Sequence, residues 1–280
     1  MKKKLIISAA LCGAGSTRAQ TPYVPITPEE IAADAVACAR AGASIIHVHA
    51  RDEEGVNTME TGRFCQVVDL IREKMAQANV DAVFNLTSSG SKFSDDVRLA
   101  HLPILNPEMC SYDPGTLNWA HSYIFQNSPA FLERLGRLCQ EEDIKPECEV
   151  FDSGFMGNIR YYAEKGILKT PVHYQFVLGE AGGMPGNINS LAHLLPQMIP
   201  GSTWSISGIG RAHMPCMLAG LAENCDGLRV GLEDNVMLEK GVLATNVQLV
   251  ERAVRLSEEA GRSIATAQEA RAILGLTKHR

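Results

Sequence analysis

Two histidines stand one residue apart at the end of an apolar run, in Ile45-Ile46-His47-Val48-His49-Ala50-Arg51-Asp52. Alternate side chains of an extended strand share a face, so His47 and His49 are expected to point the same way and lie close together. Paired neutral imidazoles suit a divalent ion, zinc foremost, with iron, cobalt or nickel also compatible. The plain alternative is two histidines satisfied by backbone groups. A catalytic zinc needs a third protein ligand and an open position. The run Asp226-Gly-Leu-Arg229-Val-Gly-Leu-Glu233-Asp234-Asn235 can supply the ligand. A period of two sets Arg229, Gly231 and Glu233 on one face, with Asp234 leaning over from the following loop. Arg229 is a permanently charged fork suited to orient a carboxylate. Glu149, in the apolar run Cys148–Phe151, is expected to face an interior where an unpaired carboxylate is costly. Its expected partners are Arg229 or the network around Asp234.

Such residues act together only if the chain brings distant strand ends to one place. Short apolar runs alternate with longer amphipathic ones, and the pair recurs eight times. The strand-like runs are Leu5–Leu11, Ser44–His49, Ala82–Leu86, Met109–Tyr112, Cys148–Phe151, Val172–Leu178, Trp204–Ile209 and Gly227–Leu232. The helix-like runs are Pro28–Ala41, Thr61–Gln77, Ser94–His101, Phe131–Glu142, Asn158–Lys165, Asn189–Met198, Met214–Glu223 and Ala244–Ala260. Thr27, Pro28 and Glu30 form a capping box with a first-turn proline. Alternating strands and helices predict a parallel sheet, and eight such units match an α/β fold of the (β/α)8 TIM-barrel type. An open doubly wound sheet is the alternative. No linker or repeat divides residues 1–280, so we expect one TIM-barrel domain with a short C-terminal helical extension. Function then belongs at the C-terminal ends of the strands.

The 280 residues carry a formal net charge of -6, which offers no broad attraction to phosphate backbones or anionic lipid. Neither nucleic acid nor membrane is therefore expected as a partner. Eight scattered cysteines without a CxxC pair are expected as reduced, mostly buried thiols of a cytoplasmic protein. Met1-Lys-Lys-Lys followed by Leu5–Leu11 and Cys12 imitates a secretory signal. The run is short for one, and Leu11 is large where processing needs a small residue, so a buried first strand is expected.

Several stretches together resemble the β-keto acid cleavage enzymes: His47-Val-His49-Ala-Arg51-Asp52, Pro107-Glu-Met109, Glu149-Val-Phe-Asp152, Phe176-Val-Leu-Gly179, Gly208-Ile-Gly210-Arg211, Arg229–Asn235 and Ala270–Gly275. The resemblance runs from about Leu5 to Leu276. It implies a zinc-bearing TIM barrel that converts a 3-oxo acid and acetyl-CoA into acetoacetate and a new acyl-CoA. It implies His47, His49 and Glu233 as zinc ligands and Asp234 and Arg229 as catalytic residues. Hydroxyls are implied at Thr87 and Ser111, as is a homo-oligomer, a tetramer by resemblance. The family's amino-acid-cleaving member has an acid in a Gly-Ala-Glu turn after the first strand, where this chain reads Gly13-Ala14-Gly15. An amino-substituted substrate is therefore expected to be disfavoured.

Other signals are weaker. Gly13-Ala-Gly15-Ser-Thr-Arg18 lacks the third glycine of a dinucleotide fingerprint. The loop Gly179–Gly186, with Gly182 and Gly183, is a candidate cradle for the pantetheine of coenzyme A. Arg18, Lys92 and Arg211 are candidates for its phosphates, against ordinary surface charge. Tyr112 and Trp119 could offer aromatic faces to a quaternary ammonium. The alternative functions are a metal-dependent hydrolase or aldolase on the same barrel and a non-catalytic binding barrel.

Overall fold

The computed structural model describes residues 3–277. Eight parallel strands close into a barrel in the order β1-β8-β7-β6-β5-β4-β3-β2. They are β1 Ile6–Ala10, β2 Ile45–Val48, β3 Val83–Leu86, β4 Met109–Tyr112, β5 Lys145–Val150, β6 His173–Leu178, β7 Thr203–Gly208 and β8 Gly227–Val230. The apolar run after Lys4 is thus a barrel strand, hydrogen-bonded to both β8 and β2. Strands covered on both faces read as continuous apolar runs, and β1, β2, β3, β4, β6 and β8 are buried along their whole length.

The surrounding helices are α1 Pro28–Ala41, α2 Thr61–Ala78, α3 Asp95–Leu99, α4 His101–Leu105, α5 Pro129–Glu141, α6 Ser153–Glu164, α7 Ile188–Leu194, α8 His213–Ala222, α9 Asn246–Glu259 and α10 Ala267–Leu274. The capping box at α1 forms as its sequence dictates: the Thr27 side chain accepts from Glu30 N, and the Glu30 side chain closes back on the cap. Two helices depart from expectation. The run 94–101 becomes two short helices that break at Ala100, because Pro103 lacks the N–H that would bond the Leu99 carbonyl. Helix α6 begins five residues before Asn158, where Asp152 caps it by accepting from Gly154 N. Gly154 and Gly157 hide the helical pattern there. None of the described helices is long and apolar enough to cross a membrane. All eight cysteines are free thiols.

The N-terminal end of the barrel is plugged by a small cluster in which Ile6, Ile45, Val83 and Met109 meet Ala270 and Leu274 of α10. Arg271 of α10 bonds Glu108 through Nε and Asp81 through Nη1. Glu108 is buried with its guanidinium partner, and removing one member of a buried pair strands the other charge. We expect Arg271→Met to lower unfolding stability by about 3–5 kcal/mol, read as a lower denaturant midpoint. A loss under about 1 kcal/mol would mean that Glu108 is solvated there after all.

Candidate active site

At the C-terminal end of the barrel the loops enclose a cavity of about 1290 Å³, lined among others by His47, His49, Arg51, Glu149, Arg229, Glu233 and Asp234. His47 lies on β2, whereas His49 is one residue past its end. The two rings meet edge to face at 5.1 Å. Their Nε2 atoms converge on one oxygen of Glu233, at 3.7 Å from His47 and 3.3 Å from His49. Their ligand atoms all lie within 4.8 Å of one another.

Glu233 does not arrive there by strand alternation. β8 ends at Val230, and Gly231, at φ 143°, turns the chain. Asp234 N and Asn235 N both donate to the Gly231 carbonyl. A Cβ on Gly231 would stand 2.0 Å from the Ala10 carbonyl oxygen, so only glycine permits this turn. Asn246 pins it, accepting from Leu232 N at 2.7 Å and donating to the Leu11 carbonyl at 2.8 Å. Gly13 makes room for the result, since a Cβ there would meet Glu233 Cγ at 2.4 Å.

Arg229 binds three carboxylates at once: Asp234 through Nε at 3.0 Å, Glu149 through Nη1 at 3.0 Å and Glu233 through Nη2 at 2.7 Å. A second bond reaches Asp234 from Nη2 at 3.1 Å. This crowd sets the protonation pattern. Burial, only partly offset by Arg229, lifts the Asp234 carboxyl above its usual range. Burial and neighbouring acids hold Glu149 well above it. Burial also opposes the Glu233 charge, but His49 and Arg229 outweigh it and hold Glu233 ionised well below the usual range. Burial pulls His47 down to about 3, so its ring is neutral.

Arg229 engages only Oε1 of Glu233, so a neutral imidazole nitrogen faces an ionised carboxylate whose Oε2 is buried and unpartnered. The donor set fits a divalent ion. The cluster His47, Glu147 and Glu149 meets the same spacing, but its carboxyls are poor ligands. Burial lifts Glu147 to about 7 and holds Glu149 well above its usual range.

Glu147 lies just outside the apolar run Cys148–Phe151 and is not legible from it, whereas β5 starts at Lys145 and includes it. Glu147 and Glu149 alternate inward, and Glu147 accepts from Asn85 Nδ2 at 2.6 Å. The inward Glu-x-Glu spacing was the available signal. Arg51 has a structural task that its motif does not disclose. It donates to the carbonyls of Cys12, Ser16 and Gly55, fastening the loop that carries Gly15 over the mouth.

The remaining expected residues scatter. Thr87 and Ser111 are fully buried and absent from the lining. Thr87 Oγ1 accepts from Ser89 N and Ser111 Oγ from Ser88 N, both at 2.9 Å. They shape the turn from which Ser89 and Gly90 reach the cavity. Arg211 and Lys92 line the cavity, Lys92 over the Tyr123 ring. Arg18 is paired with Glu30 instead. Gly182 and Gly183 do not line the cavity; they pack against the backbone of Asn118 and Phe151. Trp119 lines it, but Tyr112 is buried with its hydroxyl donating to the Leu132 carbonyl.

Comparison with known proteins returns a match to the family described as beta-keto acid cleavage enzyme over residues 4–276. The chain is 41% identical over 280 residues to the 3-keto-5-aminohexanoate cleavage enzyme of Fusobacterium nucleatum subsp. nucleatum, covering 99% of this chain and 100% of that one. It is 32% identical to the 3-oxoadipate:acetyl-CoA acetyltransferase of Cupriavidus necator, covering 99% and 96%. Among solved structures the apo form of ObcA superposes with a TM-score of 0.81 at 21% identity, over 92% of this chain and 66% of that one, a likeness of fold.

Proposed function

Because the chain belongs to the β-keto acid cleavage enzyme family, we propose that it cleaves a 3-oxo acid with acetyl-CoA, yielding acetoacetate and a new acyl-CoA. The observation that carries this reading is the meeting of His47, His49 and Glu233 beside the Arg229–Asp234 pair, in a cavity larger than the roughly 300–1,000 Å³ of ordinary small-ligand sites. A zinc or similar ion held by His47, His49 and Glu233 would supply Lewis-acid polarisation of the 3-oxo acid.

Asp234 takes the C2 proton, for which its raised carboxyl is better matched than a solvated aspartate. Arg229 fixes the direction of that carboxylate, and Glu149 fixes Arg229 from the far side. C2 then bonds the thioester carbonyl carbon and the coenzyme A thiolate leaves. The thiolate attacks the C3 carbonyl, the C2–C3 bond breaks, and Asp234 returns its proton to the departing acetoacetate. Thr87 and Ser111 accept backbone N–H groups and hold the turn from which Ser89 and Gly90 reach the cavity.

The substrate tail is read from Gly15, which lines the cavity and has nothing within 4 Å of a built Cβ. No acid stands there to meet an ammonium, so a neutral or otherwise substituted tail is preferred over a 5-amino one. The test is a panel of 3-oxo acids of different tail charge, with and without acetyl-CoA. Acetoacetate is expected only when both are present; turnover without coenzyme A would select a hydrolase or aldolase. In the same panel, Gly15→Glu should raise the relative kcat/KM for the 5-amino substrate by about 30–3,000-fold, from the ~2–5 kcal/mol of a desolvated charge pair. A wild-type enzyme that already prefers the amino substrate would hand this task to another acid, with Glu180 of the lining the first to mutate.

A further inference from the structure

Four cationic or imidazole side chains line one side of the mouth, on the loops and helices that follow β7 and β8. Arg211 sits in the short 3-10 turn Gly210–Ala212 and His213 opens α8. Lys240 lies at the tip of the hairpin 237–243 and Arg252 on α9. All four line the cavity. Arg252 is the anomaly. It is 9% exposed, yet its one bond among the described residues runs from Nη1 to the Leu238 carbonyl. Its Nε is buried and unpartnered.

Other buried arginines without a carboxylate partner are better satisfied. Arg51 reaches three carbonyls, Arg262 three, and Arg98 three oxygen acceptors. The charges that act on Arg252 are Arg255 and Glu239. Glu239 is exposed on the hairpin and forms no ion pair with Arg252 among the described residues. A buried, half-satisfied guanidinium is costly unless an anion completes it. The loops after the seventh and eighth strands are also where TIM barrels most often hold phosphate.

We propose that Arg252, with Arg211 and Lys240, forms a subsite for a phosphate of the coenzyme A nucleotide. The assignment rests on the acetyl-CoA reading above. The subsite is joined to the reacting end through Gly210 N, which donates to the Asp234 carbonyl at 2.9 Å. Apolar Ile209, Met214, Val236 and Leu238 line the same side and suit the pantetheine arm.

The test compares acetyl-CoA with acetyl-pantetheine, which has no phosphate, in wild type and Arg252→Gln. Glutamine keeps a donor for the Leu238 carbonyl and removes the charge. The kcat/KM ratio of acetyl-CoA to acetyl-pantetheine is expected to fall about 10–100-fold, the worth of a charge-assisted bond. Titration calorimetry with 3′,5′-ADP should show a loss of similar size in Arg252→Gln. A smaller loss is expected in Lys240→Gln, whose exposed position on the hairpin leaves folding untouched. Equal losses with both thioesters, or unchanged 3′,5′-ADP binding, would overturn the subsite. Wild-type protein that binds 3′,5′-ADP through Arg252 but never uses acetyl-CoA would instead overturn the proposed activity and leave the subsite standing.

Discussion

Asp234→Asn is expected to lower kcat by about 10²–10⁴-fold, the usual worth of a positioned general base, while bound metal and thermal stability stay near wild type. Asparagine is isosteric and keeps one oxygen for Arg229, but it cannot take a proton from carbon. Arg229 retains Glu149 and Glu233 as counter-charges, so the guanidinium is not stranded and the barrel should tolerate the change. The acid lies next to Glu233 in the chain, and metal content must therefore be measured beside kcat. A variant that loses metal in proportion to activity, with normal turnover per bound ion, would make Asp234 a ligand or its support, and the base would have to be sought elsewhere.

The second large effect concerns the metal. Protein purified without chelators should carry about one divalent ion per chain, as expected for a catalytic site with three protein ligands. His47→Ala should abolish both binding and activity. His47 is neutral because burial holds its pKa near 3, so no proton competes for its nitrogen above that range. Prolonged dialysis against a strong chelator should inactivate wild type, and zinc should restore it. An empty site in the native protein together with full activity of His47→Ala would remove the proposed ligand set altogether.

How far the fold was legible depends on what each element buries. The eight strand runs were readable because parallel barrel strands are covered on both faces and must be apolar throughout. Their ends were less so, since Gly231 and Asp152 act through turn and cap geometry that hydropathy does not register. The His47-Val48-His49 pair was readable because two residues of nearly extended chain suffice to align them. The arrival of Glu233 was inferred from the right residue by an incomplete argument. Alternation ends at Val230, and the carboxylate is delivered by a left-handed glycine turn pinned by Asn246.

By itself the sequence determined the alternation of strand and helix, the caps, and the residue types able to hold a divalent ion and move a proton. Those depend on local spacing and on side-chain chemistry. Tertiary structure alone decided which acids share Arg229, because Glu149 and Asp234 are 85 positions apart and meet only when β5 and β8 face each other across the closed barrel. It also decided that Glu147 joins them, that Thr87 and Ser111 stand behind the cavity wall, and that Arg252 is buried with one bond. Burial and long-range electrostatics depend on what the whole chain packs around a group, and no stretch of residues carries that information alone.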